Sequence, residues 1–123
     1  MLATVKLKEL IDGKEFGEIS EVYANNLPKE LEENTDKTIM LLTESNPSLD
    51  LSGNNTFFSK TDRVEVQIFY KADIDFDIEI FEMGLLKFLK SEHYSITDMR
   101  EHSIDPDTLQ ITAVFFVALD KLI

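Results

Sequence analysis

The chain has 123 residues, 43% of them hydrophobic and 29% charged, a balance that supports one folded domain over residues 1–123 and excludes an intrinsically disordered chain. Twelve basic against twenty-four acidic residues leave a formal charge of −12, which repels phosphate backbones and anionic lipid, so neither direct nucleic-acid binding nor membrane association is expected. There is no cysteine, which excludes a disulfide framework, a thiolate metal site and a cysteine nucleophile.

The first residues already mix charge with apolar side chains, and nowhere do about 18 apolar residues run together, so neither a signal peptide nor a membrane span is expected. From Ala3 to Ile11 the apolar residues Ala3, Leu7, Leu10 and Ile11 recur at helical spacing, and Gly13 follows where a helix would stop. Residues Ile19 to Ala24 form a candidate first strand, closed by Asn25-Asn26-Leu27-Pro28, because proline cannot donate to a central ladder. Pro28 to Lys37 reads as a loop or a single turn of helix. The next strand, Lys37 to Glu44, carries the continuous apolar run Ile39 to Leu42 expected when both faces are covered. Ser45 to Asn55, with Pro47, Gly53 and paired asparagines, has turn chemistry and the length to protrude.

The third strand, Phe57 to Lys71, sets Val64, Val66, Ile68 and Tyr70 on one face and Glu65, Gln67, Phe69 and Lys71 on the other. Asp77 to Lys90 is the main helix, with Ile78, Phe81, Leu85, Phe88 and Leu89 on one stripe. Asp77 is placed to cap its first turn, Glu79 and Glu82 near the positive end of its dipole, and Lys87 and Lys90 near the negative end. Two further strands, Tyr94 to His102 and Leu109 to Leu119, flank a tight turn at Asp105-Pro106, the pattern of an antiparallel hairpin. The order α-β-β-β-α-β-β predicts an α+β fold, with a mainly antiparallel or mixed sheet of about five strands and two helices on one face. Val114, Phe116 and Phe69 then fall on the opposite face and need another partner, since large apolar patches are uncommon on monomers.

Candidate chemistry is sparse. Asp73, Asp75 and Asp77 alternate like the opening of a calcium loop, yet Ile78 stands where that loop needs glycine and Gly84 where it needs a bidentate glutamate. Neither His93 nor His102 has a companion at metal spacing. His102 with Asp98 or Asp105 and Ser103 is a combination that chance supplies, and Asp62, Glu65 and Asp107 with Lys60 or Lys71 would make a nuclease-like set whose acidic surroundings oppose a phosphate substrate. Phe57-Phe58, beside Asn54-Asn55, cannot both face one core. No cofactor or metal is expected, nor an enzyme. The candidate interface is Gly53, Asn54, Asn55, Phe57, Phe58, Phe69, Val114 and Phe116.

Three stretches, Leu51 to Phe57 (LSGNNTF), Arg63 to Tyr70 (RVEVQIFY) and His102 to Thr112 (HSIDPDTLQIT), resemble a family of short minor structural tail proteins from siphophages and prophages of Gram-positive bacteria. The resemblance covers about Lys37 to Leu119. It implies a tail terminator or head-tail joining protein similar to the lambda-type terminator, forming a ring, usually of six subunits, on the tail tube. The implied partners are copies of the chain itself, the major tail tube protein and head-completion or connector proteins; the implied locations are the bacterial host cytoplasm during assembly and then the virion tail. Two other expectations belong to different classes: a small metal-dependent hydrolase or nuclease using Asp73, Asp75 and Asp77, and an acidic assembly chaperone or inhibitor.

Overall fold

The computed structural model describes residues 2–31, 35–45, 48–52 and 56–122, with the backbone alone at 48–52, 56–60 and 120–122. Helix α1 (Ala3–Lys14) leads into strand β1 (Glu21–Ala24), a 3₁₀ turn at Lys29–Leu31, β2 (Ile39–Glu44), β3 (Ser48–Ser52) and β4 (Thr56–Phe69). Helix α2 (Ile78–Ser91), β5 (Ser95–Met99), β6 (Ser103–Ile104) and β7 (Ile111–Leu122) complete the chain. One mixed sheet runs β1-β2-β4-β7-β5, with β3 also paired to β4 and β6 to β7. Among the described strands β1 and β2 pair in parallel and the other pairs are antiparallel.

The expected α+β order holds, with two additions that the composition concealed. Strand β3 forms inside the turn-rich segment, where Ser48–Ser52 pairs along β4 through a bulge. The strand expected from Tyr94 to His102 is shortened to β5, Ser95–Met99, with a register shift against β7 between Ile96 and Asp98, and the two-residue β6 pairs with β7 beyond the expected bounds. Helix α1 does not stop at Gly13 but continues to Lys14, ending where Glu15 turns left-handed at φ 58° and donates its N–H to the Asp12 carbonyl.

The period of two along β4 and β7 fixes the core. Val66 lies between Leu42 of β2 and Phe115 of β7, and Ile68 lies between Met40 and Ala113. All of these are buried, and Leu7 and Ile11 of α1 with Phe81, Leu85 and Leu89 of α2 close over the same face. Phe16, between the helices, meets Phe81 and Phe88 edge to face at 5.9 and 5.7 Å. The loop after α1 thereby ties one helix to the other. On α2 the Asp77 carboxylate accepts from the Ile80 amide at 3.1 Å, as an N-cap should.

Asp77→Ala is therefore expected to cost about 1 kcal/mol, whereas Leu85→Ala, which empties a fully buried site, is expected to cost about 2–5 kcal/mol. Urea unfolding of the two variants checks the ranking, and equal losses would contradict it.

Candidate functional site

The second face of the sheet is set by the same alternation that builds the core. Glu65, Gln67 and Phe69 of β4 stand across from Phe116, Val114 and Thr112 of β7 and from Thr43, Leu41 and Ile39 of β2. Neither helix packs here, because both contribute to the core on the other side. Ile39 alone in this row is sealed, at 1% exposure, while Leu41, Phe69, Val114 and Phe116 are half-buried. The continuous apolar run of β2 is thus covered on both faces at Ile39 but open at Leu41. Arg100 donates its backbone N–H to Val114 and holds its guanidinium 5.3 Å from the Phe116 ring, with Asp98 as its charge partner at 3.0 Å.

Of the candidate interface, Phe69, Val114 and Phe116 are brought together on this face. Gly53, Asn54 and Asn55 lie outside the described residues, and the side chains of Phe57 and Phe58 lie outside them too, although their backbone belongs to β4.

A groove of about 470 Å³ opens between α2 and the hairpin, lined by Ile78, Met83 and Leu86 on one wall and Met99, Ile104 and Ile111 on the other. Its polar side chains are Glu79, Glu82 and His102, of which Glu82 is buried at 8% exposure. The Tyr70 hydroxyl donates to Glu82 Oε2 at 2.5 Å, and His102 Nε2 lies 2.8 Å from the same oxygen and 3.1 Å from Oε1. A carboxylate this buried is tolerated because both partners satisfy it. The Tyr70 phenol is pushed well above its ordinary value of 10.0, by burial first and then by the hydrogen bond and charge of Glu82.

Glu82 was expected as a dipole charge, but its position beside Phe81 on the inward stripe of α2 makes it a strut between sheet and hairpin instead. An acid flanked by Phe81 and Leu85 was the one signal in the sequence. Its partners stand 12 and 20 residues away, beyond any local pattern. His102 is joined to neither of the aspartates considered for it: Asp98 pairs with Arg100, and Asp105 accepts from the amides of Asp107 and Thr108. Asp75 pairs with Lys71 at 3.1 Å while Asp77 caps α2, and His93 is exposed at the end of that helix. Asp62 and Glu65 fall on opposite faces of β4, and Asp107 sits in the exposed turn before β7, so the nuclease-like set does not converge. Among the described residues no three His, Asp or Glu are grouped to hold a metal ion, and no helix is long and apolar enough to cross a membrane.

Residues 2–121 match the model of a family described as Protein of unknown function (DUF806), and the chain belongs to that family. A comparison with curated proteins found no match.

The protonated Tyr70 predicts a pH dependence with a definite sign. A phenol whose folded value exceeds its unfolded value near 10 stabilises the fold fully below pH 10, and that contribution is lost as pH rises further. Tyr94, raised by burial and then by the charge of Asp62, acts in the same direction. The unfolding free energy should therefore fall above pH 10, and in Tyr70→Phe the fall should be shallower by about 1.4 kcal/mol per pH unit. Urea titrations between pH 9 and 11 check this, with parallel slopes counting against it.

Proposed function

We propose that this chain of the DUF806 family is a phage tail assembly protein, a tail terminator or head-tail joining protein that closes as a ring of copies on the end of the tail tube. The observation that carries the reading is the sheet face on which neither helix packs, where Leu41, Phe69, Val114 and Phe116 are half-buried among the described residues. An apolar face of this kind costs solubility unless a neighbour covers it. The resemblance of the 51–57, 63–70 and 102–112 stretches to siphophage tail proteins supplies the class of neighbour.

On this reading the partners are further copies, the tail tube protein and a head-completion protein, met in the host cytoplasm and then in the virion tail. The charge of −12 suits the wall of a channel that DNA must pass without sticking, since like charge keeps phosphates off the surface. Catalysis plays no part in it.

Light scattering with and without tail tube protein tests the proposal. The expected result is a ring-sized species on the tube end. Phe116→Glu should weaken that assembly by at least about tenfold, since it replaces an apolar ring of the contact with a carboxylate that must be desolvated there even with Arg100 beside it, with little effect on the thermal midpoint. A strict monomer at high concentration that does not bind tube protein overturns it.

A further inference from the structure

Six large hydrophobic side chains are exposed among the described residues, and three of them, Met83, Met99 and Ile104, line the groove, while Ile80 and Leu109 lie elsewhere on α2 and the turn before β7. The sixth, Leu2, stands apart at the start of α1 with 54% exposure. The two places differ in charge as well as position. Glu79 and Glu82 line the groove, and Asp77, Glu101, Asp105 and Asp107 are exposed in the segments that wall it. The first turn of α1 holds no acid and begins without a side-chain cap, so the positive end of its dipole is uncompensated, and Lys6 follows it, whereas Lys8 is paired with Asp12 at 2.6 Å.

The places also lie at opposite ends of β7. Ile111 lines the groove at one end, whereas Lys6, Glu9 and Leu10 of α1 border a hollow with Glu92 and Leu119 at the other. Eight residues separate Ile111 from Leu119, roughly 26 Å at the rise of a strand.

We infer that the groove of one copy receives the Leu2 end of α1 from a second copy, a contact that deepens the ring reading above and rests on it. Leu2 enters between Met83, Met99 and Ile104, whose two methionines adapt their shape to the incoming side chain. Lys6 and the free amides of the first turn of α1 face Glu79 and Asp105. Each copy carries −12 overall, so association needs a local match of opposite sign, and the open first turn of α1 with Lys6, set against Glu79 and Asp105, provides one. Because donor and acceptor surfaces lie at different ends, the contact is head-to-tail, the kind that closes a ring when its rotation allows.

The cysteine-free sequence makes the test direct. Leu2→Cys and Ile104→Cys each introduce a single thiol at an exposed position, and circular dichroism confirms that both variants fold. Mixed in equal amounts and oxidised in air with copper phenanthroline, they should give the heterodimer in several-fold excess over the two homodimers together, read by mass spectrometry. In the same mixture, Lys6→Glu placed in the Leu2→Cys chain should cut the yield several-fold, and Glu79→Lys in the other chain should restore it. A heterodimer at or below its statistical half overturns the contact, as does a yield indifferent to Lys6→Glu. Should the wild-type chain assemble on tube protein while that link fails, the contact falls and the assembly reading stands. A strong link with no binding to tube protein leaves the contact standing and removes the tail reading.

Discussion

With Val66 of β4 held between Leu42 and Phe115, a slip of one residue in either ladder would carry a whole row of core side chains to the far side of the sheet. The β4–β7 pairing, registered without interruption from Ser59 against Leu122 to Phe69 against Thr112, prevents it. From that constraint follows the division of the molecule: Val64, Val66, Ile68 and Tyr70 go to the helices, and Glu65, Gln67 and Phe69 are left to the open face. The helices then have only one side on which to bury their stripes.

The parts of this architecture legible in the sequence are those governed by period and by local chemistry. The alternation from Val64 to Tyr70, the stripe of α2 and its Asp77 cap are all short-range patterns, and each stands where it was expected. What escaped depends on distant partners. Strand β3 exists because β4 offers it a ladder, which outweighs the turn chemistry of its own residues. The run of α1 past Gly13 reflects the modest cost of a helical glycine, roughly 1 kcal/mol, against the packing of Leu7 and Ile11 beneath it. The candidate interface was legible in part: strand parity alone places Phe69, Val114 and Phe116 on the open side. The groove was not, for it needs α2 and the hairpin to be brought side by side.

Charge and apolar surface are distributed so that each limits the other. A molecule with twice as many acids as bases keeps copies of itself apart at long range, where the repulsion between net charges dominates. At contact distance the balance changes, because desolvated apolar area and a few local pairs outweigh screened charge. The buried Glu82 belongs to this scheme. Through His102 it ties α2 to the hairpin, the two walls of the groove, and through Tyr70 it ties α2 to the sheet.

The margins of the sheet carry their own consequence. At one margin β1 is four residues long and leaves through Asn25 in a left-handed turn; at the other, the ladder of β5 to β7 is broken by a register shift after Ile96. Neither rim presents the long, flat row of free amides and carbonyls on which a stray polypeptide would crystallise into a fibril. A protein with greasy surfaces, crowded beside many identical neighbours, is thereby steered toward side-chain docking of finished folds and away from runaway backbone zippering.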